Sequence, residues 1–155
     1  IALRLIHECV DPPSINTLFN INFEFVSLSL KIPILITNSS TFSAVAEEFT
    51  FDRVIAVVAI LGDKDVVKFL NELSKVADEI IVTRNSSPRA MPIEDLKRLA
   101  VDIFEEGAVS AAPSIAAAIQ EAVEKASQPN VSIGVLVTGS VVTAGAARAL
   151  LKRDR

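Results

Sequence analysis

The sequence lacks tryptophan and tyrosine entirely, and its 155 residues include one cysteine, one histidine and one methionine. The single cysteine, Cys9, cannot form a disulfide within the chain. Cys9 and His7 together are too few ligands for a zinc site, which takes three or four protein side chains. We therefore predict no metal site in this chain and expect a reducing, cytoplasmic environment.

Positive charge is also scarce, because 15 lysines and arginines stand against 19 aspartates and glutamates, and the formal net charge is −4. Proteins that bind nucleic acid or anionic membranes need a surplus of cationic side chains to neutralise phosphate groups. The sequence therefore predicts neither nucleic acid nor a membrane surface as a partner.

Long apolar runs are absent as well. The longest uninterrupted run, Val54–Leu61, has eight residues, whereas a helix that spans a bilayer needs about 20. Even so, 50% of the residues are hydrophobic. A chain of this length and composition can bury a core of its own, which favours a globular protein over a disordered or fibrous one.

The composition changes along the chain near residue 45. Residues 1–45 contain five charged side chains and no glycine, whereas the remainder is rich in alanine and contains all five glycines. The chain begins with Ile1 rather than methionine, from which we infer a fragment or an altered coding region. We expect residues 1–42 to form an atypical, strand-rich segment and residues 43–155 to form an α/β domain.

The spacing of the apolar residues predicts the fold class. From Ile21 to Ile34 they alternate with period two, with a slip at Phe25–Val26 that is typical of a bulge. From Ser43 onward, strands alternate with amphipathic helices, which predicts a three-layer α/β fold with a mostly parallel sheet and helices on both faces. The strands predicted in this part cover residues 53–60, 79–83, 109–111 and 132–138.

The predicted helices have apolar faces and recognisable ends. The first is capped by Asp63 or Asp65, and its inward residues are Val66, Val67, Leu70 and Leu73. Pro92 suits the first turn of the second helix and Gly107 its end, and its inward residues are Ile93, Leu96, Leu99 and Ile103. Two further helices open at Pro113 and after Ser140.

Three polar loops follow strands of the predicted sheet, namely Gly62–Asp65, Thr83–Arg89 and Thr138–Ser140. Ligands of open α/β sheets bind beyond the carboxyl ends of the strands, where helix amino termini present free N–H groups. In the first loop, Lys64 between two aspartates suits a contact to a phosphate or a carboxylate. The same residues are also typical of the acidic first turn of a helix whose lysine is exposed to solvent.

The other two loops also have two interpretations each. The second combines two arginines, an amide and hydroxyls, which is typical of an anion-facing loop or of a polar turn. The third offers Gly139 for close backbone approach and the Ser140 hydroxyl, or is a tight strand-to-helix turn. Gly134 and Gly139 have the spacing of a phosphate loop, but Ser140 stands where its lysine belongs, so no phosphate loop is expected.

Four strings of residues carry a resemblance to a known family. They are Glu47-Glu-Phe-Thr-Phe-Asp-Arg-Val54, Asp63-Lys-Asp-Val66, Val82-Thr-Arg-Asn-Ser-Ser-Pro-Arg-Ala-Met-Pro92 and Val135-Leu-Val-Thr-Gly-Ser-Val-Val-Thr-Ala-Gly145. In unbroken order over residues 43–155, the chain resembles the carboxy-terminal domain of folylpolyglutamate synthase/dihydrofolate synthase in its actinobacterial form. That family belongs to the Mur-type ATP-dependent amide ligases, whose carboxy-terminal domain has a Rossmann-like fold.

The resemblance implies a chemistry and a division of labour. A carboxylate of folate or dihydropteroate is phosphorylated by ATP, with magnesium bridging the phosphates, and the amine of L-glutamate then displaces the phosphate. In the family, the phosphate loop and the magnesium ligands belong to a large amino-terminal domain that is missing from this chain. The resemblance therefore implies a glutamate-side domain with no catalytic residue of its own, inactive as an isolated chain.

The resemblance also implies which residues lie at the site. Ser140 is the candidate contact to glutamate, with Thr138 and Gly139 shaping the turn. The further candidates for contacts to nucleotide or substrate are Lys64, Asp65, Asn85 and Arg89.

One stretch departs from the family. The family enters this domain through a strand that ends in a D-x-A-H-N-P-like motif, whose Asp and His approach the nucleotide. The corresponding stretch here, Pro33-Ile-Leu-Ile-Thr-Asn-Ser-Ser40, contains neither residue. The departure leaves an alternative open, in which the chain is a non-catalytic α/β binding module or the remnant of a decayed ligase gene.

Overall fold

The structure is a computed structural model and describes residues 23–27, 32–37, 42 and 50–153. The strands are β1 (Phe23–Ser27), β2 (Pro33–Thr37), β3 (Arg53–Val58), β4 (Glu79–Val82), β5 (Val109–Ala111) and β6 (Ile133–Thr138). The helices are α1 (Val66–Ser74), α2 (Ile93–Val101), α3 (Ile115–Ala126) and α4 (Val141–Arg153), with a 3-10 helix at Glu106–Ala108. His7, Cys9 and residues 38–40 lie outside the described residues.

The six strands form one sheet in the order β1-β2-β6-β3-β4-β5. Only β1 and β2 pair in antiparallel fashion, and every other neighbouring pair is parallel. This confirms the predicted α/β class with a mostly parallel sheet. The strand β2 pairs with β6, so part of the atypical amino-terminal segment belongs to the same sheet. The division after residue 42 stays a prediction.

The sheet separates two apolar cores, because successive side chains of a strand point to opposite faces. In β3, Val54, Ala56 and Val58 pack against residues of α1 and α2. The alternate residues Ile55 and Val57 pack against residues of α3 and α4. Both faces of the central strands are therefore covered, which explains why β3 and β6 are continuous apolar runs.

The predicted bulge in the amino-terminal strand is wrong. The residues form two antiparallel strands whose pairs run without interruption from Phe23↔Thr37 to Ser27↔Pro33, and Phe25 and Val26 face Leu35 and Ile34. Period-two spacing continues through residues 28–31, which include no glycine or proline. The apolar pattern therefore shows strand character without showing where the chain reverses.

The inward face predicted for α1 is wrong at one residue. Val67 is 49% exposed, whereas Phe69 is buried. The buried residues follow Val66 at intervals of three, four and seven, which is the stripe of a helix that begins at Val66. Phe69 also makes an edge-to-face contact with Phe42, with ring centroids 5.4 Å apart.

The predicted end of α2 is also wrong. The helix ends at Val101, and Gly107 lies in the 3-10 helix instead. The Ala100 carbonyl accepts hydrogen bonds from the N–H groups of both Ile103 and Phe104, at 3.1 and 2.7 Å. Phe104 is buried in the same core as α2, so burial of its ring ends the helix before the glycine. Ile103, predicted within the helix, follows it and packs against that core.

The other predicted strands and helices occur within two residues of their predicted bounds. The helix predicted to open at Pro113 is α3, and Ser114 caps it by accepting a hydrogen bond from the Ala117 N–H. No helix of the described residues combines the length and apolar character needed to cross a membrane.

Candidate functional site

The three polar loops lie at one end of the sheet. They follow β3, β4 and β6, which are neighbours in the order β6-β3-β4 and run parallel to one another. Since parallel strands end on the same side, the sequence prediction that these loops lie at one edge is confirmed. The strand β6 contains Gly134, so that glycine is not part of a phosphate loop.

Two of the loops are joined backbone to backbone. Leu61 and Ala90 form an isolated antiparallel bridge. On either side of it, the Gly62 N–H donates to the Arg89 carbonyl and the Met91 N–H to the Ile60 carbonyl, both at 2.9 Å. We call this arrangement the loop clasp. The loop clasp holds the loop after β3 and the loop after β4 in a fixed position relative to each other.

Two charged candidates face each other on the outside of the loop clasp. Arg89 Nη1 donates to Asp63 Oδ2 at 2.7 Å. The two side chains are 67% and 53% exposed. An exposed ion pair contributes little stability, so the Arg89 guanidinium can leave Asp63 for another anion at small cost.

The loop after β3 also reaches the loop after β6 through Lys64. Its Nζ donates to the Gly139 carbonyl at 3.4 Å, and neither neighbouring aspartate forms an ion pair with it. Asp65 instead caps α1, because its Oδ1 accepts a hydrogen bond from the Lys68 N–H at 3.1 Å. Asp65 therefore has a structural task, while the exposed Lys64 ammonium stands over the β6–α4 turn.

The turn between β6 and α4 depends on Gly139. Its φ is +129°, a conformation that side chains rarely allow, and a Cβ placed there would lie 2.1 Å from the Ala59 carbonyl oxygen. The preceding Thr138 is fully buried, and its carbonyl accepts a hydrogen bond from the Ala59 N–H at 3.3 Å. The turn therefore presses directly against the chain that leaves β3, where only glycine fits.

Three buried polar side chains form hydrogen bonds with one another at this turn. Asn85 Nδ2 donates to Ser140 Oγ at 3.2 Å and to Thr143 Oγ1 at 3.1 Å. The two hydroxyl oxygens are 3.0 Å apart. Ser140 Oγ accepts from the Thr143 N–H at 3.1 Å, and Thr143 Oγ1 donates to the Ala59 carbonyl at 2.6 Å. We call Asn85, Ser140 and Thr143 the polar cluster.

The structure thus brings together six of the seven residues predicted for the site. Asn85 and Ser140 touch each other, Lys64 touches Gly139, and Thr138 precedes that glycine in β6. Asp65 caps the helix next to Lys64. Arg89 lies on the outside of the loop clasp, and its side-chain contact is with Asp63.

Two residues of this region were not among the predicted site residues. Thr143 lies in α4, yet it completes the polar cluster. Its position three residues after Ser140 is the spacing at which a helix-capping serine meets a backbone N–H, and that signal was available. Thr83 is fully buried, and its Oγ1 has no hydrogen-bond partner among the described residues.

The described residues do not fit a magnesium site. Nowhere in the described ranges do three or more histidine, cysteine, aspartate or glutamate side chains gather closely enough to hold a metal ion. The hard oxygen ligands that magnesium prefers are represented at the loops by Asp63, which pairs with Arg89, and by Asp65, which caps α1.

Comparison with known proteins identifies relatives of this region. Residues 38–141 match the family described as Mur ligase, glutamate ligase domain. The dihydrofolate synthase/folylpolyglutamate synthase of Mycobacterium tuberculosis is 40% identical over 126 residues, which cover 75% of this chain and 26% of that protein. The chain therefore spans about a quarter of the length of this relative.

Solved structures agree with the sequence match. The M. tuberculosis folylpolyglutamate synthase complexed with ADP and AMPPCP is 38% identical, with a TM-score of 0.71, over 77% of this chain and 29% of that one. The Thermotoga maritima folylpolyglutamate synthase superposes with a TM-score of 0.67 over 88% of this chain and 31% of that one. At 23% identity, the second match shows the fold alone.

Proposed function

We propose, because the chain belongs to the Mur ligase, glutamate ligase domain family, that it supplies the glutamate side of an ATP-dependent amide ligase. The proposed reaction adds L-glutamate to folate or dihydropteroate. The relative from M. tuberculosis carries both synthase activities in its name, and this chain is similar to a quarter of it. The activity of a whole ligase is therefore part of the proposal.

The observation that carries the proposal is the convergence of three loops at the carboxyl ends of β3, β4 and β6. They are held together by the loop clasp, by Lys64 on Gly139 and by the polar cluster. Such an edge is where open α/β sheets bind ligands. The convergence supports a binding site on a preorganised backbone.

We assign the residues of this edge as follows. Thr138, Gly139 and Ser140 form the turn on the glutamate side. The exposed ammonium of Lys64 faces that turn and is available to an anionic group of a substrate or nucleotide. Arg89 is available for the same purpose, while Asp65 and Asn85 hold the loops in place. No residue of this chain is assigned a catalytic role.

The nucleotide and the metal belong to the remainder of the proposed ligase. Phosphoryl transfer from ATP supplies the activated carboxylate, and the residues that would hold magnesium would lie in that remainder. Glutamate nitrogen then forms the amide bond, phosphate leaves, and the nitrogen loses a proton. The described residues contain no fitting magnesium site, so a phosphate-loop domain is the required partner. A reducing, cytoplasmic location with neither nucleic acid nor membrane as a partner completes the proposal.

The test is complementation. The full chain is mixed with the separately produced phosphate-loop domain of a related folylpolyglutamate synthase, and ADP formation is measured with and without folate and L-glutamate. We expect ADP formation that requires both substrates in the mixture and none with the chain alone. Turnover by the chain alone would overturn the view that it is one side of the enzyme.

A matched pair of lysines sharpens the test. Lys64→Met should lower the complemented rate about tenfold or more, because it removes the cation that faces the turn. Lys68→Met changes an exposed lysine within α1, four residues after Lys64, and should leave the rate unchanged. If the mixture forms no ADP and calorimetry detects neither ATP nor glutamate binding, the alternative of a non-catalytic module or a decayed ligase remnant replaces the proposal.

A further inference from the structure

The polar cluster fixes the direction of each of its hydrogen bonds. A threonine hydroxyl has one proton, and that of Thr143 is donated to the Ala59 carbonyl at 2.6 Å. In the hydroxyl pair at 3.0 Å, the donor must therefore be Ser140. The proton of the Ser140 hydroxyl is thereby committed to Thr143 Oγ1.

The acceptor sites are committed as well. Ser140 Oγ accepts one proton from Asn85 Nδ2 and one from the Thr143 N–H. A hydroxyl oxygen has two lone pairs, so nothing remains on Ser140 Oγ for a ligand. Thr143 Oγ1 is equally full, because it accepts from both Asn85 and Ser140.

The orientation of the Asn85 amide follows from the same count. The hydroxyl protons of Ser140 and Thr143 are already donated to Thr143 Oγ1 and to the Ala59 carbonyl. The Asn85 atom that contacts both hydroxyl oxygens must therefore be a donor, which is the amide nitrogen and not the carbonyl oxygen. The Asn85 Oδ1 points the other way and accepts the Ser87 N–H at 3.0 Å. Asn85 thereby connects the loop after β4 to the first turn of α4.

The cluster is also sealed from water. Asn85, Ser140 and Thr143 are 5%, 2% and 0% exposed. Withdrawing the Ser140 hydroxyl toward a ligand would leave buried partners unpaired, which is costly in a medium of low dielectric.

We propose that Asn85 and Thr143 are positioning residues that lock the Ser140 hydroxyl, so that Ser140 shapes the β6–α4 turn and does not bind substrate through its side chain. This inference rests on the proposed glutamate-side function of that turn. Ser140 therefore has a structural role at the site, and Thr143 is a further residue on which the site depends.

The first test uses the complemented enzyme and separates KM for L-glutamate from kcat. Asn85→Ala, Thr143→Val and Ser140→Ala should each raise KM about tenfold, because each opens the same cluster. The double variant Asn85→Ala/Ser140→Ala should raise KM no further than either single variant. Thr143→Ser keeps the hydroxyl and should restore KM to within about twofold of that of the unmodified chain.

Controls identify the opposite outcome. Asn71→Ala removes an exposed asparagine of α1 and should leave KM unchanged. If Ser140→Ala raises KM while Asn85→Ala and Thr143→Val do not, the Ser140 hydroxyl binds glutamate directly and the inference is overturned. Thermal unfolding of each variant shows whether the variant is folded at the assay temperature.

The second test does not depend on activity. In NMR spectra of the full chain, the side-chain amide protons of Asn85 and the Thr143 N–H should exchange far more slowly than the amide protons of the exposed Gln120. Thr143→Val should abolish that protection and Thr143→Ser should keep it. Fast exchange of the Asn85 protons in the unmodified chain would overturn the positioning role. Absent activity with intact protection would overturn the proposed function alone.

Discussion

Gly139 lies directly after β6, where its backbone closely approaches the Ala59 carbonyl. The positive φ alone disfavours any other residue, and the space is closed as well, because an added Cβ would lie 2.1 Å from that oxygen. A substitution cannot be accommodated by moving a flexible side chain, since the obstacle is backbone of the central strand region.

Alanine at this glycine should be among the most damaging changes in the chain. We expect Gly139→Ala to lower the free energy of unfolding by at least about 3 kcal/mol, from backbone strain together with overpacking. Gly145→Ala is the control, because a Cβ there meets nothing within 4 Å and alanine in a helix stabilises by about 0.5–1 kcal/mol. Urea unfolding of both variants measures the contrast, and equal stabilities would contradict the close approach.

Thr83 differs from Gly139 in that its buried hydroxyl group has no hydrogen-bond partner within the part of the chain that the structure describes. Thr83→Val replaces it with a methyl group of similar shape and should stabilise the protein by about 1 kcal/mol, because no unpaired polar atom remains. The same change at Thr143 removes satisfied hydrogen bonds and should destabilise by about 1–3 kcal/mol. Melting temperatures that shift in the same direction for both variants would show that Thr83 has a hydrogen-bond partner after all.

At the scale of the elements, the loop after β3 contains two aspartates with different tasks. Asp65 caps α1, whereas Asp63 forms an exposed ion pair with Arg89. The sequence named both as candidates for the cap and could not choose between them. The choice depends on where the helix begins, which is set by burial of Val66 and Phe69 in the core.

The two aspartates should differ in stability effects. Asp65→Ala is expected to cost about 1 kcal/mol, the usual loss when a helix N-cap is removed. Asp63→Ala should cost less than about 0.5 kcal/mol, because exposed ion pairs contribute little. Chemical unfolding of the two variants under identical salt tests this order, and a larger loss at Asp63 would contradict the assignment of the cap.

The strands and helices could be predicted from the sequence where particular residues mark their ends. The strands β3 and β6 were predictable because their β-branched runs are bounded by polar or glycine residues. The end of α2 was not, because burial of Phe104 overrode the glycine signal at Gly107. The chain reversal between β1 and β2 was not predictable either, since residues 28–31 contain no glycine, proline, asparagine or aspartate and Ser29 alone is a weak turn signal.

Across the whole molecule, the position of a strand in the sheet determines how strongly it resists local unfolding. The strands β3 and β6 lie in the middle of the sheet and are buried on both faces, while β5 is an edge strand with partly exposed residues. Opening an edge breaks fewer contacts than opening the centre. Local unfolding should therefore begin at the β5 edge.

Hydrogen exchange measures this gradient directly. We expect the amides of β3 and β6 to exchange by global unfolding and those of β5 to exchange at least about tenfold faster. The comparison needs only the full chain in native buffer. Protection of β5 equal to that of β3 would contradict the predicted gradient.

The site could be predicted only in part from the sequence. That three loops meet at one edge follows from strand order and parallel direction, and the polar residues of those loops were visible. The pairing of Asn85 with Thr143 was not, because these residues are 58 positions apart and meet only once the loop after β4 and the start of α4 come together at the same edge of the sheet. The end of the sheet opposite to the loops has an ion network of its own, in which Glu79 meets both Arg53 and Lys125.

The loop clasp has a consequence for protein engineering. Its two hydrogen bonds and its bridge are made by backbone atoms alone, so they do not depend on the side chains of Ser86 and Arg89. Asn85 and Ser87 must be kept, because Asn85 Oδ1 accepts a hydrogen bond from the Ser87 N–H and Ser87 Oγ accepts one from the Arg89 N–H. Ser86 and Arg89 can therefore be randomised as a library while the framework keeps its shape. Variants of that loop can be selected for binding to a different anion, because the exposed Arg89 guanidinium is held by a weak ion pair with Asp63.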